Sequence, residues 1–322
     1  MKADVLSDLL RAVRLSGAVY FDFELSSPWV VEAPASADIA GRVMPGAQLI
    51  IQCHLIARGT CWGHAVGAEP IRLLEGDLIV FPRGDAHVLS SAPGMRATPD
   101  MKRFARPSTP LPMFYELGGG GPERARVVCC FLGCDERPFN PLLTALPTVI
   151  HLSAAGPQAS TGWLGTLFSM AAKESGSARA GGENVRARLS ELLFVETIRQ
   201  YLETLPPAET GWLAGLRDPV VGHALAALHA QPKEPWTVEQ LARHVGVSRS
   251  VLAERFTEML DHAPMQYLAL WRMQVASRLL LDGGHVAIVA SAVGYESEAA
   301  FSRAFKKLVG ESPAAWRRKA TT

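Results

Sequence analysis

Between residues 19 and 152 the apolar positions come in short clusters separated by Gly, Pro and Asp, as in QLIIQCHLIARG, PIRLLEGDLIVFPRGDAHVLS and ARVVCCFLG. Runs of about 5 to 8 residues rich in β-branched and aromatic side chains are the pattern of strands, and a succession of them points to a sandwich or barrel. Residues 92–123 interrupt the pattern with Pro, Gly and basic residues, and are expected to form a long mobile excursion rather than a hairpin loop. From Thr161 the period changes to that of helices: TGWLGTLFSMAAKE and, after a break at Gly181 and Gly182, NVRARLSELLFVETIRQYLETL. In the second, Phe194, Ile198, Tyr201 and Leu205 recur at helical spacing, with Arg186, Arg188, Glu191 and Arg199 among the other positions. That stripe must bury against the chain's own strands or against a second subunit. Pro206 and Pro207 end the helix, and a last helical region runs from about Asp218 to Ala320. The expected fold is α+β: a β barrel or sandwich over residues 1–155, a helical linker and possible dimerisation segment over 156–217, and an all-α domain over 218–322.

A length of 322 residues agrees with at least two domains at about 100 to 200 residues each. With 48% hydrophobic and 20% charged residues, the composition excludes a disordered, collagen-like or heptad-dominated chain. No apolar run approaches the roughly 18 residues of a membrane span, and acids and bases are mixed through MKADVLSDLLRAVRLSG, so a cytoplasmic protein with no membrane partner is expected. The five cysteines, an odd number, fit reduced thiols better than a disulfide framework. The run Gly118 to Gly121 lacks the Lys-Ser/Thr pair of a phosphate-binding loop. Net charge is +1, but residues 301–319 carry Arg303, Lys306, Lys307, Arg317, Arg318 and Lys319 against Glu311 alone. A polyanion would therefore be met near the C-terminus.

The same region contains a repeat. Leu252, Phe256, Pro264 and Tyr267 are matched 49 residues later by Phe301, Phe305, Pro313 and Trp316. Ahead of each set a short apolar helix ends in glycine, Gly246 and Gly294, so each copy reads as a helix-turn-helix, at about 237–258 and 286–308. Thr237 with Gln240, and Ser312 with Pro313, mark helix starts. Between the copies, MQYLALWRMQVASRLLL spans roughly 26 Å at 1.5 Å per residue, the scale needed to hold two readers about one DNA turn apart. With Leu252 and Phe256 in the core, Ser250, Ala253, Glu254 and Thr257 face outward on the first reading helix. Glu298, Ala299, Ser302 and Arg303 do so on the second. Arg249 and Lys306 are placed for phosphates, Arg303 for a guanine edge, and Glu254 and Glu298 for cytosine or a neighbouring base.

These segments, GVSRSVLAERFTEMLDHAPMQYLALWRM and AVGYESEAAFSRAFKKLVGESPAAWRR, resemble the two helix-turn-helix units of the AraC/XylS family of bacterial transcription regulators, with Gly294, Tyr295, Phe301, Phe305, Gly310 and Pro313 at signature positions. The chain departs at Asp261 or His262, where the first unit often has Gly, which puts the geometry of that turn in question. The resemblance implies a homodimeric regulator, not an enzyme, that binds promoter DNA, works with RNA polymerase as an activator, and has an N-terminal cupin-type barrel for an effector. Gly76, Pro82, Gly84 and His87 fit the second cupin motif, and His64, Glu69 and Gly76 the end of the first. The cupin metal set would then be His64, Glu69 and His87, suited to a divalent transition metal, but Trp62 replaces a further histidine and no cofactor is required. Three readings stay open for the barrel: a metal centre, a metal-free effector pocket drawing on His54, Cys61, Trp62, His64 and His87, and a purely structural barrel. The start DLLRAVRLSGAVYFDFELSSPW and the close LLTALP are similar to a subgroup associated with oxidants, which offers Cys53 or Cys61 as a thiol switch if exposed and electropositive. The rival from another class is a metal-dependent cupin enzyme with a helical appendage.

Overall fold

The computed structural model describes residues 4–105, 111–154, 164–175, 179–206 and 209–318. The expected helix start at residues 161–163, Pro207, Lys319 and the 155/156 boundary lie outside these. The chain divides into two compact units: Leu15–Cys134 with Leu146–Thr204, and Met1–Arg14 with Asp135–Ala145 and Leu205–Thr322. The second therefore includes two segments that the sequence pattern grouped with the barrel.

The first helix, α1 (Val5–Ala12), belongs to the helical unit. The β-rich unit follows with β1 (Ser16–Ser26), β2 (Val30–Ala33), α2 (Ser36–Val43), β3 (Leu49–Arg58), β4 (Cys61–Ala65), β5 (Ile71–Leu73), β6 (Leu78–Phe81), β7 (His87–Ser90), β8 (Met113–Gly118) and β9 (Arg124–Cys134). After α3 (Pro141–Ala145), which lies in the helical unit, β10 (Ile150–Leu152), α4 (Leu164–Ser175) and α5 (Gly182–Thr204) return to the β-rich one. The strands form a six-stranded sheet in the order β10-β6-β3-β9-β1-β8 and a four-stranded sheet in the order β2-β7-β4-β5. Part of the stretch expected to be an irregular excursion is thus the edge strand β8, parallel to β1. Its alternation of half-buried Met113, Tyr115 and Leu117 with exposed neighbours is the period of a strand, hidden in the sequence by flanking Pro and Gly.

Register decides which side chains meet. Gln52 faces Phe131 and His54 faces Cys129 across β3 and β9, while Phe21 of β1 pairs with Cys129 from the other side. Side chains alternate along a strand, so these point into the core between the sheets, and Cys53 and Cys130, opposite one another, point to the outer face. There α5 covers the sheet: Cys130 lies beside Ser190, and Gly17 N donates to Glu191 Oε1 at 3.2 Å. A Cβ on Gly17 would stand 2.7 Å from Ala187 O, so glycine is what lets this helix approach β1. Phe194 and Ile198 are buried, the stripe having been covered by the chain's own strands.

The helical unit contains α6 (Trp212–Arg217), α7 (Val221–Ala230), α8 (Val238–Val245), α9 (Arg249–Leu260), α10 (Pro264–Leu281), α11 (Val286–Ala292), α12 (Glu298–Val309) and α13 (Pro313–Arg318). The long α10 is central. Its buried Gln274 accepts from Phe139 N at 3.0 Å and donates to Ala12 O at 2.9 Å, and Arg137 donates to Val309 O at 2.6 Å. Arg14 pairs with Asp135 through two bonds of 2.6 Å. Polar bonds to buried backbone groups, costly to leave unmade, thus attach α1 and residues 135–145 to the readers' scaffold.

Candidate nucleic-acid interface and barrel cavity

The two readers share one construction. The first helix of the first, α8, opens on a capping box: Thr237 Oγ1 accepts from Gln240 N at 3.1 Å, and Gln240 Oε1 from Thr237 N at 2.9 Å. It stops at Gly246, φ +79, in the left-handed conformation that glycine adopts without strain. Ser248 then caps α9, and Ser297 caps α12, each at 3.2 Å from the amide three residues on. Both reading helices end left-handed, at Gly310 (φ +92) and Asp261 (φ +57). Asp261 therefore keeps the turn that glycine would make, aspartate being among the few L-residues that tolerate it. On α10, the Tyr267 hydroxyl accepts from Trp212 Nε1 and donates to His229 Nε2, both at 2.8 Å; at the matching position of the second copy Trp316 Nε1 donates to Ser277 O at 3.2 Å.

Leu252, Phe256, Phe301 and Phe305 are fully buried. That orientation turns the other faces of α9 and α12 outward. Arg249, Ser250, Glu254 and Thr257 are exposed with Ala253 half-buried, and Glu298, Ala299, Arg303 and Lys306 are exposed with Ser302 half-buried. Arg249 meets Glu239 at 2.9 Å, but with 70% and 51% of the two side chains exposed this is a weak surface pair that a phosphate can replace. Thr257 Oγ1 donates to Ala253 O at 2.7 Å, within the helix. Among the described residues Glu254, Glu298, Arg303 and Lys306 have no ion pair. Arg255 is drawn away instead: it binds Asp218 Oδ2 at 2.8 and 2.5 Å, while Asp218 Oδ1 accepts from the amides of Val220 and Val221, fixing α9 against the start of α7.

Inside the barrel lies a cavity of about 240 Å³. The rings of Phe21, Phe23, Trp29, Phe104 and Phe131 form much of its wall, and Gln52, His54, His87 and Cys129 reach it from β3, β7 and β9. The imidazoles are close: His54 Nε2 is 2.7 Å from His87 Nε2, His54 Nδ1 is 2.9 Å from Cys129 Sγ, and His87 Nδ1 is 2.9 Å from Asp85 O. One assignment of protons satisfies the whole row. His87 Nδ1 donates to the carbonyl, so its Nε2 accepts from His54 Nε2, and His54 Nδ1 in turn accepts the Cys129 S–H. Burial holds both imidazoles neutral, pushing His87 down to about 4 and His54 well below the usual imidazole range, with the neighbouring His87 acting in the same direction on His54.

Of the barrel residues singled out from sequence, the fold brings only His54 and His87 to the cavity. Ala65 pairs with His87 across β4 and β7, whereas His64 pairs with Val88. His64 and His87 therefore project from opposite faces of the small sheet and cannot share a metal, and Glu69 is exposed beyond β4. The expected set His64, Glu69 and His87 is thus not assembled, and among the described residues no group of three or more His, Cys, Asp or Glu is placed to hold a metal ion. Trp62 shares the outer face with His64, and Cys61 lies in the core. All five thiols are free and buried, and burial pushes Cys61 up to about 12 and Cys130 up to about 11. The exposed, electropositive setting that a reactive thiol needs is absent at Cys53 and Cys61. Gln52 escaped the sequence analysis, although it stands two residues before His54 on one strand and so shares its face, and Cys129, one of the buried thiols on its strand, also reaches the cavity.

A cupin family model matches residues 4–203, and a helix-turn-helix domain model matches residues 241–319. The chain is similar to a putative AraC-like transcription regulator of Streptomyces lividans, 34% identical over 85% of this chain and 89% of the relative. It is also similar to the HTH-type transcriptional regulator AlkR of Acinetobacter baylyi, 27% identical over 98% of this chain and 99% of the relative. Among solved structures, the DNA-binding domain of the global transcriptional factor AdpA in complex with a target DNA is 34% identical, covering 31% of this chain and 91% of that one at a TM-score of 0.29. Among the described residues no helix is long and apolar enough to cross a membrane.

Proposed function

The chain belongs to the AraC-like transcription regulators with an N-terminal cupin domain, and on that premise we propose that it binds a specific site in double-stranded DNA through α9 and α12, under the control of a small molecule held in the barrel cavity. The observation that carries this reading is the pair of capped reading helices on either side of α10, whose outward faces hold Arg303 and Lys306 free of any ion pair among the described residues. At 18 residues α10 is about 27 Å long, the span that suits neighbouring major grooves. Arg303 serves a guanine edge, Glu254 and Glu298 suit cytosine amino groups, and Arg249 and Lys306 hold phosphates.

The cavity supports a metal-free effector reading over the enzyme, since the histidines of the cupin metal set face opposite ways and His54 and His87 satisfy each other. An oxidant signal at Cys53 or Cys61 has no exposed thiol to act on. A homodimer in the cytoplasm is part of the reading: the α5 surface turned away from the sheet exposes Val185 and Leu192, seven residues apart on one stripe, beside the exposed Arg188. Recruitment of RNA polymerase completes the reading of an activator.

The test is selection of bound genomic fragments by the full chain, followed by titration of the selected site. Arg303→Ala is expected to cost about 1 to 3 kcal/mol on the selected site and to relax preference at one base pair. An equal loss on unrelated DNA would assign Arg303 to the backbone instead. Failure of the wild-type chain to enrich any sequence would refute specific binding.

A further inference from the structure

The chemistry of the barrel cavity narrows what it can hold, and the narrowing begins at Gln52. Its side chain is wholly buried; Nε2 donates to Pro34 O at 3.3 Å, but Oε1 has no partner. An amide oxygen without a donor in a buried place costs about 1 to 3 kcal/mol, and the residue that carries this one lines the cavity. Among the described residues no donor lies within hydrogen-bonding distance of that oxygen, and the polar side chains beside it are spoken for. Both hydrogens of the imidazole pair are already committed, one to His87 and one to the Asp85 carbonyl, and the Cys129 S–H is committed to His54.

Charge narrows the choice further. Glu32, which reaches the wall, is held by Arg96 through two bonds of 2.9 and 2.7 Å, and Arg103 is paired with Asp100 at 3.2 Å and stands over the Tyr115 ring at 5.4 Å. An ionic ligand would therefore enter a wall whose charges are already matched, and would lose its hydration for no counter-charge. The remaining surface is apolar, aliphatic side chains such as Val31, Leu89 and Val127 alternating with a cluster of rings in which Phe21 meets Phe104 and Phe131 edge-on at 5.6 and 5.8 Å. The volume of about 240 Å³ equals about eight waters at ~30 Å³ each, room for a single ring system of roughly ten non-hydrogen atoms.

We propose that the cavity takes a neutral aromatic molecule carrying one hydroxyl or N–H, of the phenol or indole class, which donates its proton to Gln52 Oε1 while its ring packs among the Phe side chains. This rests on the reading of the cavity as the effector site and names the ligand chemistry of that site. Gln52 is the specificity-determining residue: it rewards a donor, and it penalises an otherwise equal apolar ring by remaining unpaired.

The experiment uses three probes of one shape, phenol, toluene and benzoate, titrated calorimetrically into the full chain and into Gln52→Leu. The wild type is expected to bind phenol about 5- to 150-fold more tightly than toluene, the range that corresponds to one unpaired buried acceptor, and benzoate most weakly. In Gln52→Leu toluene affinity is kept or improved and the preference for phenol disappears; retained toluene binding also shows that the variant is folded. Gln52→Met, which keeps the side-chain length, serves if the leucine variant does not fold. Equal affinity of the wild type for phenol and toluene would overturn the role of Gln52 and leave the cavity as a ligand site. Benzoate binding most tightly would overturn the neutral-ligand class. No binding of any of the three would remove the cavity as a site for small rings and, with it, the effector clause of the proposed function.

Discussion

Single residues in this chain are tuned by burial and by backbone conformation. His229 is buried, stacked on Trp271 at 3.8 Å, and pushed down to about 3 by desolvation, and His87 is pushed down to about 4 for the same first reason. Unfolding returns each to an ordinary value near 6.5, so between the two values the unfolded chain binds the extra proton. The stability they contribute is complete above about pH 6.5 and is lost as pH falls through the folded values. His229 alone accounts for a loss on the order of 3 kcal/mol by pH 4. Denaturant unfolding at pH 7.5, 6, 5 and 4 measures this; a flat profile would mean that the imidazoles take up their protons in the folded chain as readily as in the unfolded one. Asp261 presents a backbone case. Held at φ +57 where the second copy has Gly310, it bears a strain that Asp261→Gly relieves, for an expected gain of up to about 1 kcal/mol and a higher melting temperature. A lower one would show that the aspartate side chain itself supports the turn.

At the scale of elements, the helix signals were legible because caps and stripes are local. Thr237 with Gln240 form the box that their spacing predicts, and Leu252, Phe256, Phe301 and Phe305 are the inward faces that their period predicts. Removing the box with Thr237→Ala is expected to cost about 1 kcal/mol, read from thermal unfolding. The strand β8 was missed since its six residues sit between Pro-rich and Gly-rich flanks and pair with β1 from far away in sequence. Gln274 was missed for a related reason. Nothing near it in sequence marks it, yet it bonds Phe139 N and Ala12 O from the middle of α10. Gln274→Leu leaves both backbone groups unpaired, with an expected cost of about 3 kcal/mol and no change in the base preference of whatever protein remains folded. A shift in preference would instead make Gln274 part of the DNA-reading apparatus.

For the whole molecule, the helical unit draws on three stretches of chain, Met1–Arg14, Asp135–Ala145 and Leu205–Thr322. A fragment of residues 218–322 keeps both readers and is expected to bind DNA as a monomer. It lacks the Ala12 and Arg137 attachments and the Trp212 bond to Tyr267, so it should melt below the full chain. Equal melting temperatures would show that the N-terminal and 135–145 segments add nothing to the readers, and a dimeric fragment would remove the need for α5 in pairing. Within that unit Arg14 and Asp135, from two of the three stretches, pair through two bonds of 2.6 Å.

Taken alone, the sequence determined the class of the molecule and its DNA-reading half, because repeats, caps and helical stripes are written in spacings of three to eight residues. It also fixed which residues of α9 and α12 face outward, since a helix with two known core positions has its other faces assigned. What the tertiary structure decided were the matters settled by pairing distant strands: that His64 and His87 point to opposite sides of one sheet and so hold no common metal, that Cys129 rather than Cys61 meets His54, and that Gln52, which lines the cavity, is left with an unpaired oxygen. A shift of one residue in register exchanges the two faces of a strand, and that register is carried by long-range backbone bonds that no local spacing encodes.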